Sequence, residues 1–184
     1  MNKKFKKMKF LMAMLLTVLG LVTTGCATTN SEAEAAQVRV SSNSNLAIAW
    51  NYYRNQGFSE AATAGILGNY MRESYMNPAI QEYGNNIGYG LAQWSFQRRV
   101  NLENYAKRNG TSASNIYTQL NFSMLEMATV TNFGGLGLQG FKNLKSVDRA
   151  TEIFEKYYEK PGVKASSERK LYANSIYKRF STQR

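Results

Sequence analysis

From Ser59 to Ser95 the chain reads SEAATAGILGNYMRESYMNPAIQEYGNNIGYGLAQWS, and the first half of this stretch constrains the fold more than any other segment. Ser59 to Glu73 contains no proline, opens on a good N-cap and puts Glu60 at the positive end of the helix dipole, so it predicts a helix. Ala62, Ile66, Asn69 and Glu73 recur at helical spacing and share one largely apolar face. That face belongs against a core, which places Glu73 at a buried wall. Pro78 then biases Asn77 away from helical geometry and removes a backbone donor, so the helix stops soon after Glu73, beside a cleft. A carboxyl group there loses solvation; its pKa rises, and it can hold a proton near neutral pH for donation to a leaving oxygen. The opposing reading is a solvated glutamate, the commoner state at a helix end.

Residues 77–90 contain Pro78, Gly84, Asn85, Asn86, Gly88 and Gly90. This is turn chemistry with room for a short hairpin, and such loops line clefts. Gly88 and Gly90 permit positive φ or close approach of backbone to a ligand. Gln93 offers a donor and an acceptor, and Tyr89 or Trp94 a flat apolar face; the alternatives are a helix cap for Gln93 and the core for Trp94.

Helical periodicity recurs around this stretch. Leu46, Ala49, Trp50 and Tyr53 form a stripe from about Asn45 to a stop at Gly57, with Trp50 in the core. Ser95 to Asn109, closed by Gly110, offers Val100, Leu102, Tyr105 and Ala106 for packing and turns Arg98 and Arg99 to solvent. A helix after Ser114 carries Ile116, Leu120, Met124 and Met127, with Glu126 solvated. FGGLGLQG, residues 133–140, reads as a flexible connection bordering the cleft. A helix from Ser146 turns Ile153, Phe154 and Tyr157 inward and ends at Tyr158-Glu159-Lys160-Pro161-Gly162. A last one, from about Ser167 to Phe180, carries Leu171, Tyr172, Ile176 and Phe180. The expected fold is mainly α: one domain over residues 45–184, of about six helices, with a Gly-rich loop or short hairpin lining the cleft.

Residues 1–25 read as an export signal, with five lysines up to Lys9 and then an apolar run, Phe10 to Val22, too short to span a bilayer comfortably. Thr23-Thr24-Gly25-Cys26 resembles a bacterial lipoprotein box, which implies that Cys26 is acylated and becomes the first mature residue. Ala33-Glu34-Ala35 offers the competing cut of a secreted protein. Residues 26–44 read as a flexible tether. With Cys26 lipidated no cysteine remains for a disulfide, so stability rests on a packed core.

The chain has no histidine and a single aspartate, Asp148. That excludes Ser-His-Asp and Cys-His catalysis and histidine zinc sites, argues against paired-aspartate metal sites, and leads to the expectation of no metal and no cofactor. Net charge is +11; the leader's five lysines have no acid beside them, so +6 remains from Cys26 onward. No basic run longer than the pair in Gln97-Arg98-Arg99 follows, which favours an anionic cell wall or membrane surface over nucleic acid.

Gly68 to Ser74 reads GNYMRES and Gly88 to Ser95 reads GYGLAQWS. The pair resembles the lysozyme-like superfamily of soluble lytic transglycosylases and goose-type lysozymes, in which a Glu-Ser pair is followed by a Gly-Leu-x-Gln motif. The closer resemblance is to the phage tail lysozyme family. It rests on the order of Ala64-Gly65-Ile66-Leu67-Gly68-Asn69, Glu73-Ser74, Asn77-Pro78, Gly88 to Trp94, Arg98 or Arg99, Leu102, Tyr105-Ala106 and Tyr158-Glu159-Lys160-Pro161, and covers the chain after residue 45. It implies a lysozyme-like domain with Glu73 as catalytic acid, and peptidoglycan glycan strands as partner. It also implies Ser74, Tyr89, Gly90, Gln93, Trp94 and Tyr158 as substrate contacts; the late tyrosine that reaches the acid is either Tyr157 or Tyr158.

On this reading Glu73 protonates the oxygen of the β-1,4 bond between N-acetylmuramic acid and N-acetylglucosamine. A hydrolase needs a second carboxylate, for which Glu82 and Glu159 are the candidates. Failing both, the substrate's 2-acetamido group assists and a 1,6-anhydro product results, as the resemblance to lytic transglycosylases implies. Hydrolysis and transglycosylation stay open, as does a non-catalytic wall-binding or assembly lipoprotein of the same fold. The expected protein is a monomer, exported and held at the outer face of the cytoplasmic membrane or in the wall, or else secreted after cleavage near Ala35.

Overall fold

The computed structural model describes residues 43–129 and 131–181; the leader, Cys26 and the alternative cut at Ala35 lie outside them. The first helix, α1, spans residues 43–55 and so begins within the expected tether. It is followed by α2 (Glu60–Ser74), α3 (Phe96–Arg108), α4 (Ile116–Thr129), a 3-10 turn (Phe133–Gly135), α5 (Gly137–Lys142), α6 (Val147–Phe154), a π turn (Glu155–Glu159) and α7 (Ser166–Ser181).

The segment opened by Ser59 is the central rod. Ser59 caps α2 by accepting from the Ala62 N–H at 3.0 Å, and the helix ends where Tyr75 adopts a left-handed conformation, φ 50°. Every residue from Ala61 to Tyr70 is buried. This enclosure follows from small side chains: a Cβ at Gly65 would lie 2.8 Å from Ala150, and one at Gly68 2.6 Å from both the Ala173 Cβ and the Arg169 carbonyl oxygen. Helices α6 and α7 therefore rest directly on the α2 backbone, and α7 carries Arg169, Ala173 and Ile176 inward.

An aromatic core fills the remaining space. Phe141 stacks on Phe133 at 4.2 Å, Phe154 on Tyr158 at 4.4 Å, and Tyr70 meets Phe154 edge-on at 5.8 Å. Trp50 lies in the core and stacks on Phe180 at 5.0 Å, joining the first helix to the last.

Three expectations are corrected. FGGLGLQG is no flexible connection at the cleft: it forms the 3-10 turn and most of α5, because Phe133 and Phe141 are both buried and anchor it. Val100 and Leu171 are exposed, since the inward faces of their helices are set by Leu102 with Ala106 and by Arg169 with Ala173. In place of a regular hairpin, the loop after α2 makes isolated antiparallel bridges, Gln81 with Tyr89 and Tyr89 with Trp94. The π turn that follows α6 closes with the Lys160 N–H donating to the Glu155 carbonyl at 2.8 Å. Such turns insert one residue into a helix and often occur at functional sites.

Candidate active site

A cleft of about 680 Å³ opens at the C-terminal end of α2. Glu73 from α2, Glu82 from the loop and Glu159 from the π turn all line it, together with Gln93, Arg98 and Lys160.

Glu73 keeps 19% of its side chain exposed and accepts from Nη2 of Arg169 at 2.5 Å. Arg169, with 2% of its side chain exposed, also donates to Asn69 Oδ1 at 3.0 Å and pairs with Glu155 Oε1 at 3.2 Å. Asn69 is held in turn by donating to the carbonyls of Gly65 (2.8 Å) and Thr151 (3.2 Å). This network ties α2, α7 and the π turn together behind the acid. Glu155 further accepts from the Ala165 N–H at 2.9 Å and from the Ser166 hydroxyl. Burial opposes its ionisation, but those bonds and the Arg169 charge outweigh burial and lower its pKa below 4.5.

Glu159 lies in the opposite situation. The residue is half-buried, but Oε1 is sealed from solvent and has no hydrogen-bond partner. Burial, and after it the charge of Glu73, push its carboxyl well above the usual range and favour its neutral form. Glu82 is exposed; its Oε2 accepts from the Gly88 N–H at 3.0 Å and its own N–H donates to the Gly88 carbonyl at 2.8 Å, which fixes the loop. Gln93 faces the cleft with φ 45° and donates through Nε2 to the Gly90 carbonyl at 3.0 Å. Tyr89 is half-buried under the Arg99 guanidinium, 5.1 Å from its ring centre, and does not line the cleft.

Four expected substrate contacts point inward instead. The Ser74 hydroxyl lies 2.9 Å from the Tyr70 carbonyl oxygen and 3.0 Å from that of Leu91, fastening the loop to α2. Gly90 is buried; its N–H donates to Ile80 at 2.9 Å, and Gln119 fills the space a side chain would need. Trp94 has no exposed surface, meets Phe122 edge-on at 5.6 Å and donates from Nε1 to Glu126 Oε2 at 2.7 Å. Tyr158 is buried and its hydroxyl donates to the same oxygen at 2.8 Å. Tyr157 does not line the cleft either.

The acceptor of these bonds, Glu126, is therefore not solvated: it is 8% exposed and also takes Arg98 Nε at 2.9 Å and Nη2 at 2.8 Å. Arg98 correspondingly leaves the solvated face expected for it. A carboxylate at this position is stable because indole, phenol and guanidinium together complete its hydrogen bonding. The residues that sequence reasoning missed are Arg169, Glu126 and Gln119. Their one sequence signal is spacing, since Arg169 falls in register with Ala173 and Ile176, and Gln119 and Glu126 with Phe122.

A mainly helical domain in which a buried helix end carries an acid into a cleft lined by two more glutamates belongs to the lysozyme-like class of folds. Residues 44–180 match the phage tail lysozyme family, and the chain belongs to that family. It is 30% identical over 136 residues to Morphogenesis protein 1 of Bacillus phage B103; the aligned region is 70% of this chain and 37% of that protein. The chain thus spans little more than a third of that relative's length.

Proposed function

We propose that this domain cleaves the β-1,4 bond between N-acetylmuramic acid and N-acetylglucosamine in peptidoglycan, with Glu73 delivering the proton to the glycosidic oxygen. Family membership supports lysozyme-like, cell-wall-related chemistry. The observation that carries the residue-level reading is the meeting of Glu73, Glu82 and Glu159, from separate segments, in one cleft. Burial first, and the neighbouring Glu73 charge after it, raise the pKa of Glu159, so this carboxyl holds its proton more firmly than an ordinary one and is the proton reserve beside Glu73. That proton passes through Glu73 to the bridging oxygen as the C–O bond breaks and positive charge grows on the departing ring. Arg169 aims Glu73 and compensates the carboxylate once the proton has left. Burial disfavours the charged form of Glu159 and makes it a poor second carboxylate, which leaves the exposed Glu82 the better candidate for activating water. Export, attachment through acylated Cys26 and action as a monomer on the wall belong to the same proposal; incorporation of labelled palmitate that Cys26→Ser abolishes tests the anchor.

The leaderless protein and its Glu73→Gln variant, each incubated with purified peptidoglycan, are compared by mass spectrometry of the released fragments. Release should fall about a hundredfold or more in the variant. Reducing ends assign hydrolysis and point to Glu82, whereas anhydro ends, one water lighter, assign the acetamido route. No release from either protein, with binding intact, returns the domain to the wall-binding or assembly reading, towards which the name of its phage relative leans.

A further inference from the structure

Next to the carboxylate cleft lies a second pocket, of about 390 Å³, between α3, α4 and the π turn. Arg98 and Lys160 line both and form the wall between them. Arg98 is neutralised by Glu126, so its charge is already committed. Arg108 and Lys160 are not: neither forms an ion pair among the described residues. Asn101 and Asn104, three residues apart on α3, add side-chain amides, and the partly exposed Leu125 of α4 adds an apolar surface.

Two uncommitted cations, two amides and an apolar wall suit a short peptide bearing carboxylates. A phosphate polymer would call for a longer track of cations. We propose that this pocket receives the acidic stem peptide of the strand whose sugars occupy the carboxylate cleft, an inference that rests on reading the cleft as a glycan site. The muramyl ring carries its peptide on a short lactyl ether, so a sugar beside Arg98 and Lys160 delivers the stem directly over the shared wall.

Calorimetry tests this on the Glu73→Gln protein, which holds ligand without turning it over, with a wall disaccharide bearing its tetrapeptide and the same disaccharide freed of peptide. The peptide-bearing ligand should bind about tenfold more tightly, the yield of one or two charge-assisted contacts. Adding Arg108→Glu should remove most of that advantage, Arg108→Lys should retain it, and affinity for the bare disaccharide should stay unchanged in both, which also reports intact folding. Equal affinity for the two ligands, a loss on both, or no binding of either overturns the assignment. Displacement of the peptide-bearing ligand by a glycerol-phosphate oligomer that itself depends on Arg108 also overturns it and reassigns the pocket to wall phosphates. If the unsubstituted protein cleaves nothing while the peptide advantage and its loss persist, the cleavage reading fails alone and the pocket assignment stands.

Discussion

Arg169 sits where its charge has almost no water to meet, and it is tolerated there because Glu73 and Asn69 accept from its guanidinium and the Glu155 carboxylate lies 3.2 Å from Nε. The attraction within such a buried trio roughly offsets its desolvation, but deleting the cation alone leaves two carboxylates facing each other without compensation. Arg169→Leu should therefore lower stability by about 3–5 kcal/mol, read as a fall in the urea midpoint. Arg169→Lys should recover only part of this, because an ammonium cannot span Asn69, Glu73 and Glu155 with one planar fork. Trp94 poses a gentler version of the same problem. Trp94→Phe keeps a ring against Phe122 but removes the donor to Glu126, which should cost about 1–3 kcal/mol. KM for glycan should be unmoved if the indole acts only from the interior; a clear rise in KM would restore Trp94 to the cleft.

The packing of α6 and α7 on α2 depends on the absence of two side chains. Gly68→Ala gains about 1 kcal/mol in helix propensity, but its methyl would sit 2.6 Å from Ala173 and from the Arg169 carbonyl oxygen. Relief requires α7 to move, at a cost of about 1–3 kcal/mol or more, and it carries Arg169 away from Glu73. Both stability and cleavage should drop, whereas Gly57→Ala, with nothing within 4 Å, should show only the local strain of its positive φ and full cleavage per folded molecule. Helix α2 was legible in the sequence because its determinants are local: the Ser59 cap, the unbroken run and Pro78 beyond. The same holds for α1 and α4, whose stripes of Leu46, Trp50 and Tyr53 and of Leu120 and Met127 are buried. Helix α5 was not, since a Gly-rich segment has no period and its shape comes from the Phe133–Phe141 stack. The cleft's three glutamates could be named from motif and loop position. The inward turn of Trp94, Tyr158 and Arg98 could not, because their common acceptor, Glu126, lies 28 to 32 residues away from them in sequence. Arg169 defied polarity itself: its partner Glu73 is 96 residues distant.

Across the whole molecule, two buried glutamates of the π turn pull stability in opposite directions with pH. The lowered pKa of Glu155 means that the stability it adds is present above its unfolded value, near 4.5, and is lost as pH falls below it. The raised pKa of Glu159 means that its contribution is complete below 4.5 and is lost as pH rises from there towards its folded value. A chain already at +6 from Cys26 onward gains further positive charge in acid, which steepens the acid limb. The urea midpoint of the leaderless protein should therefore peak on the mildly acidic side of neutrality and decline towards pH 8. Glu159→Gln has no proton to lose, so its midpoint should exceed that of the unsubstituted protein at pH 8, converge with it near pH 4 and follow the same acid limb. An alkaline decline that persists unchanged in Glu159→Gln would assign it to another group. The proposed chemistry makes a second demand of the same variant, because the proton that destabilises the fold when it leaves Glu159 is the one that passes through Glu73 to the glycosidic oxygen. Glu159→Gln should thus be more stable than the unsubstituted protein at pH 8 and slower at cleaving peptidoglycan; a variant that gained stability and kept full turnover would leave Glu73 drawing its proton from solvent.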